Sequence, residues 1–288
     1  MCLTPIWIPA KVRYGNGRNI GRYVPCGHCV ECLQKRQTEW FVRFFLEDKY
    51  FKDVLPGSQT LFTTLTYAEE NLPDSRESAF NDVRAFIKKL GRTWNKSSIR
   101  YYLASENGTQ TGRLHYHMLI FGVLPEDLTL PPQKEIEKLW KKGFSHTEYA
   151  GAGAFRYACK YVTKDLDVLK TSESWKPIST CSKRPALGVN FALRTSFMAH
   201  YANIPLEKII ENDGLFTIPI NGYNYSIPRY IRTKLFSELQ LFFMRLKSCS
   251  THGPTDLDRE DDLIKRRTIN NVYGFKKLKN KLKYEELS

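Results

Sequence analysis

Stretches whose apolar residues recur every three or four positions alternate along the chain with short runs dense in β-branched and aromatic residues. From Glu31 to Lys52, Leu33, Trp40, Phe41, Phe44, Phe45 and Leu46 fall at helical spacing, with Lys35, Arg36, Glu39 and Arg43 on the other face. Pro56-Gly57 ends that predicted helix. Leu61 to Tyr67 reads as a strand, and Phe80 to Trp94 as an amphipathic helix with Val83, Phe86, Ile87 and Leu90 inward. Ile99–Glu106 and Leu114–Val123 are strands on either side of a polar, glycine-containing turn, which predicts a hairpin. A short helix at Lys134–Lys142, a strand at Phe144–Tyr149 and a helix at Ala154–Leu169 follow. Next come a loop from Thr171 to Gly188, a helix at Phe191–Tyr201, a hairpin around Asn221-Gly222 and a helix at Thr233–Lys247. The first 25 residues read as irregular, and the lysine-dense segment from Lys276 to Lys283 as a solvated tail.

The order β-α-β-β-α, with one more strand before the second long helix, predicts an α+β fold with an antiparallel sheet and helices on one side. Strict β/α alternation, which a doubly wound parallel fold needs, is absent. Three regions are expected: a Cys-rich segment and helix over 1–57, a core over 58–205 and a C-terminal extension over 206–288.

Composition narrows the class. With 288 residues, 42% hydrophobic and 13% aromatic, the chain is globular rather than disordered. No apolar run approaches the roughly 20 residues that span a bilayer, and the first residues lack the layout of a signal peptide. A cytoplasmic protein without a membrane partner is expected. Lys and Arg total 44 against 30 Asp and Glu, a net charge of +14. That excess favours a polyanionic partner, and nucleic acid is the common one.

His115-Tyr116-His117 lies within the second hairpin strand. Side chains alternate faces along a strand, so the two imidazoles share a face and Tyr116 enters the opposite layer. Glu106 sits across the turn, and a register placing it opposite His115 gathers all three groups. Two imidazoles and a carboxylate suit Mg²⁺ or Mn²⁺ acting on phosphate oxygen, although imidazole also admits Zn²⁺. The plainer alternative is a solvated sheet face. Tyr157 and Tyr161, four residues apart, share one face of the next helix, with Lys160 and Lys164 on a neighbouring stripe. Taken alone, that helix could simply carry two core tyrosines. Together, the two sites describe a reaction in which a tyrosyl oxygen attacks a metal-polarised phosphodiester, leaving a 5′-phosphotyrosine and a free 3′-OH.

Cys26, Cys29 and Cys32 form C-x2-C-x2-C, with Cys2 upstream. These three, with Cys2 or His28 as a fourth, have the spacing of a structural Zn²⁺ site. Reduced thiols at a helix start, or iron–sulfur ligation, are the alternatives. Cys159, Cys181 and Cys249 are scattered.

Phe62-Thr63-Thr64-Leu65-Thr66-Tyr67, His115-Tyr116-His117 and Tyr157-x3-Tyr161-Val162-Thr163-Lys164 resemble, in order, the three motifs of HUH endonucleases. Val24 to Cys32, Ser105-Glu106-Asn107-Gly108, Ser182 to Gly188 and Ile227-Pro228-Arg229-Tyr230 resemble segments of gokushovirus replication initiators, from small single-stranded DNA phages of the Microviridae. The resemblance covers about residues 1–235. It implies a five-stranded antiparallel sheet of RRM-like type and rolling-circle replication. It further implies nicking of origin DNA, single-stranded or melted, then rejoining that releases circular genomes, with host helicase and polymerase as partners in the bacterial cytoplasm. It assigns His115 and His117 to Mg²⁺ or Mn²⁺, Tyr157 and Tyr161 to nucleophilic attack, and Lys164 to a phosphate contact. In these enzymes the acidic ligand varies in position, so Glu106 rests on strand geometry. Relaxases or transposases of the same fold, a non-catalytic RRM-like binder and a DNA-packaging protein are the competing classes.

Overall fold

The computed structural model of the chain describes residues 2–8, 22–94, 98–108, 112–164, 178–212, 216–241 and 243–244. These form two compact units. The larger holds residues 37–201 and 227–235, and the smaller holds the described residues of 2–36, 202–226 and 236–244.

In chain order, β1 (Ile6–Ile8) and β2 (Arg22–Val24) pair antiparallel, followed by α1 (Val30–Val54). Then come β3 (Gln59–Thr66), α2 (Arg76–Thr93), β4 (Arg100–Asn107), β5 (Leu114–Val123), α3 (Pro132–Trp140), β6 (Ser145–Tyr149) and α4 (Ala152–Lys164). β7 (Ser179–Cys181), α5 (Val189–Ala192), α6 (Thr195–Ala202) and α7 (Leu206–Glu211) follow. The hairpin β8 (Thr217–Ile220) and β9 (Tyr223–Ser226) precedes α8 (Arg229–Leu235). No helix among the described residues is long and apolar enough to cross a membrane.

Five strands make one sheet in the order β6-β3-β5-β4-β7, every neighbouring pair antiparallel. β3 and β4 therefore run parallel with β5 between them, the split β-α-β arrangement. The fold is α+β, as the element order predicts. β7 is the strand that the sequence reading leaves inside a loop. Its three residues pair with Tyr102, Leu103 and Ala104 of β4, and so short a run carries no alternation of its own. β1 and β2 are likewise absent from that reading, for the same reason.

Helices cover both faces of the sheet, not one. On the first face, Leu61, Leu65, Leu103, Tyr116, Met118 and Ile120 meet Val83, Phe86 and Leu90 of α2 and Ile136 and Trp140 of α3. Each fully buried side chain of this size stabilises by about 1.5–3 kcal/mol. On the second face, Trp40 and Phe44 of α1 pack on Tyr102, and Phe155 of α4 packs on Phe121. Gly122 permits that approach. It sits at φ +77° where β5 carries an extra residue opposite β3, and a Cβ there would lie 2.5 Å from the Phe51 ring.

Boundaries shift where caps intervene. α2 begins a turn before Phe80, because Ser75 accepts a hydrogen bond from the Ser78 N–H (3.1 Å). The helix predicted over Phe191–Tyr201 is broken at Leu193-Arg194, where Arg194 reaches Asp53 (3.0 Å). The helix predicted over Thr233–Lys247 is also broken. α8 stops at Leu235, and Ser237 and Gln240 then exchange side-chain-to-backbone hydrogen bonds (2.8 and 3.2 Å), a capping box that starts a new turn. The predicted extension of α4 to Leu169 and the Lys276–Lys283 segment lie outside the described residues.

The Ser182–Gly188 segment is held from beneath. Glu47, fully buried, takes the Arg100 guanidinium at 2.8 Å and the Gly188 N–H at 2.5 Å. Arg43 donates to the Leu187 carbonyl (3.2 Å). Gly188 is at φ +81° against the Arg43 backbone, where a side chain has no room.

Candidate active site

The site begins with the alternation of β5. Tyr116 enters the α2 layer, where its hydroxyl donates to the Ala79 carbonyl (3.0 Å) and meets the Tyr67 hydroxyl (3.2 Å). Burial pushes the Tyr116 phenol up to about 12. His115 and His117 face the other way. The β4–β5 register pairs Glu106 with His115, and the Glu106 Oε2 lies 3.5 Å from His115 Nε2 and 3.4 Å from His117 Nε2. The conditional register of the sequence reading is the one that forms.

Both imidazoles are oriented from behind. His115 Nδ1 lies 3.2 Å from the Arg113 carbonyl. A carbonyl only accepts, so that nitrogen carries the proton and Nε2 presents its lone pair towards Glu106. His117 Nδ1 lies 3.1 Å from Thr64 Oγ1, its partner in the β3–β5 register. Phe62 lies nearly parallel to His117, 6.0 Å between centroids. Neither Phe62 nor Thr64 stands out as a site residue in the sequence. Their signal is the alternation of β3, which puts both on the histidine face once the register is known.

The ligand atoms of Glu106, His115 and His117 lie within 4.8 Å of one another. Two lone-pair-bearing nitrogens, one carboxylate oxygen and oriented rings fit a divalent cation with open coordination positions.

α4 brings the tyrosines to the same face. Tyr161 stacks on His117, and Tyr157 meets Tyr161 edge-on at 5.4 Å and Phe62 at 5.6 Å. Tyr161 is buried, while Tyr157 is half-buried. Burial raises the Tyr161 phenol well above its ordinary value, and hydrogen bonds to Tyr157 and Glu106 and the Glu106 charge add to the effect. Lys160 Nζ lies 5.0 Å from the centre of the Tyr157 ring. The Lys164 side chain lies outside the described residues. Gln37 of α1 donates to Thr163 Oγ1 (2.8 Å) and anchors the end of α4, a role nothing in the local sequence signals.

A second group of ligand type lies in the smaller unit. The sulfurs of Cys2, Cys26, Cys29 and Cys32 are within 4.8 Å of one another, whereas His28 is exposed and outside the group. Both groups are consistent with metal binding.

Residues 60–166 match the family model of the replication-associated protein ORF2 type. The chain is 28% identical over 241 residues to Replication-associated protein ORF4 of Chlamydia phage 1, covering 75% of this chain and 55% of that protein. It is 27% identical over 248 residues to Replication-associated protein ORF2 of Spiroplasma virus 4, covering 79% and 73%. Replication-associated protein VP4 of Bdellovibrio phage phiMH2K is 26% identical over 227 residues, covering 72% and 65%. The alignment thus spans about half the length of the Chlamydia phage relative. No solved structure matches the chain at a significant level. The resemblance to replication proteins of small phages, drawn from the motifs, is shown by these relatives.

Proposed function

We propose that this relative of phage replication-associated proteins is a rolling-circle initiator that nicks one strand of origin DNA through a tyrosine. The observation that carries the reading is the convergence of Glu106, His115 and His117 with the rings of Tyr157 and Tyr161 on one face of the sheet. A divalent cation held by that triad, Mg²⁺ or Mn²⁺, would supply positive charge to a non-bridging phosphate oxygen and aid its attack.

The protein groups do the rest. A tyrosyl oxygen forms the new bond to phosphorus, the P–O3′ bond breaks, and the phenolic proton is lost as the 3′ oxygen gains one. The products are a 5′-phosphotyrosine and a free 3′-OH, which a host polymerase extends. Lys160, beside Tyr157, offsets phosphate charge, and Lys164 serves as a second cationic contact. With two tyrosines a helical turn apart, about 5.4 Å along the axis, the second accepts the strand in the transfer that closes a circle. The net charge of +14 supports binding of the strand. Host helicase is the partner that opens duplex ahead of the nick, and the host cytoplasm is where the reaction runs.

Incubation with an origin oligonucleotide and Mn²⁺, followed by denaturing electrophoresis, tests the reading. The wild-type chain should give a covalent protein–DNA band that disappears with chelator and in the Tyr157→Phe/Tyr161→Phe double variant. A non-catalytic binder would retard DNA on a native gel and give no denaturation-resistant band.

A further inference from the structure

We propose that Cys2, Cys26, Cys29 and Cys32 hold one structural Zn²⁺ that organises the N-terminal segment, independently of the nicking site. The distances carry the inference. Cys26 Sγ lies 4.0 Å from Cys32 Sγ, and Cys29 Sγ lies 3.8 Å from Cys2 Sγ. A tetrahedron of thiolates with Zn–S near 2.3 Å has edges of about 3.8 Å. A disulfide would need about 2.0 Å. A four-iron cluster spreads its thiolates over separate irons, so four sulfurs gathered around one point fit a single ion.

The surroundings suit thiolates. The N–H of Cys26 donates to Cys2 Sγ (3.3 Å), that of Cys29 to Cys26 Sγ (3.3 Å) and that of Leu3 to Cys29 Sγ (3.5 Å). The Thr4 hydroxyl donates to Cys26 Sγ at 3.2 Å. Cys29 is itself 1% exposed.

The same segment has little else to hold it. β1 and β2 are three residues each, and Ile6 and Ile8 are 48% and 45% exposed. A lone two-stranded hairpin is marginal in water. The ion would tie Cys2 to the turn at Cys26–Cys29 and to the first turn of α1 at Cys32, so its binding free energy becomes folding free energy of this segment.

Full-length protein purified without chelator should contain about one zinc per chain. Cys2→Ser and Cys29→Ser should lower the zinc content by roughly ten-fold or more. Cys181→Ser and the His115→Ala/His117→Ala double variant should keep it. Should the cysteine variants be insoluble, Co²⁺ exchanged into the wild type reads the same site, through thiolate charge-transfer and tetrahedral d–d absorption. Removing the ion should expose four thiols and open residues 2–36 to protease. Zinc-free folded protein, iron in place of zinc, a zinc content that follows His115 and His117, or octahedral cobalt would each overturn the assignment.

Discussion

The ring of Tyr161 lies on the imidazole of His117, with centroids 4.1 Å apart and planes 15° from parallel. A residue of the α4 helix and a residue of the central strand thereby form one packed unit. The same imidazole takes Thr64 at Nδ1 and approaches Glu106 at Nε2. A change at either ring is felt by the other.

The two tyrosines differ in burial, which makes single substitutions informative. Phe at 161 keeps the stack on His117 and removes only the hydroxyl. If the tyrosines alternate, Tyr157→Phe and Tyr161→Phe each form one covalent adduct and fail to close a circle. Should Tyr161→Phe abolish every adduct while Tyr157→Phe closes circles normally, Tyr161 is the sole nucleophile. Denaturing gels and a circularisation assay read both outcomes.

The histidines should not behave alike in folding. By strand geometry alone, both would serve cleavage with little effect on stability. His117, however, is 6% exposed and packed among Phe62, Tyr157 and Tyr161. His117→Ala should lower stability by about 1–3 kcal/mol, whereas the half-buried His115→Ala should stay within about 0.5 kcal/mol. Both should lose metal-dependent cleavage by on the order of 100-fold. Urea unfolding beside a nicking assay separates the two effects.

Thr64→Val keeps the shape of β3 and removes the group behind His117 Nδ1. Orienting partners of this kind are worth about 10- to 100-fold in metal affinity. The Mn²⁺ concentration for half-maximal cleavage should rise by that factor, and unfolding should change by only about 1 kcal/mol. An unchanged Mn²⁺ dependence would remove Thr64 from the site.

Alkaline stability should report on Tyr67. Burial raises its phenol, and the bonds to Tyr116 and Asp82 raise it further. The unfolded phenol ionises near its ordinary value of about 10, while the folded one keeps its proton. Unfolding is then favoured as pH climbs above about 10, and the stability present below that value is progressively lost. Between about pH 9 and pH 11 the wild type should lose more stability than Tyr67→Phe in matched urea titrations. Equal losses would mean that Tyr67 does not couple ionisation to folding.

Much of this site is local. That His115 and His117 share a face, with Tyr116 opposite, follows from the two-residue period of any strand. That Tyr157 and Tyr161 share a face follows from helical periodicity, and the C-x2-C-x2-C spacing shows three thiols close together. α1, β3, β5 and the Asn221-Gly222 hairpin are legible for the same reason, since each is long or strongly patterned. Tertiary structure decided what depends on partners distant in the chain. The register that sets Glu106 against His115 is a pairing of two strands, and a slip of one residue would send the carboxylate to the other face. β7 is a strand only because β4 offers it an edge, and α4 lies over the histidines because its apolar face is buried on that side of the sheet. The choice of Cys2 over His28 beside the three clustered cysteines, and of Thr64 behind His117, likewise depends on contacts made between residues far apart in sequence. Periodicity orients a side chain relative to its own element, but only packing places that element against another.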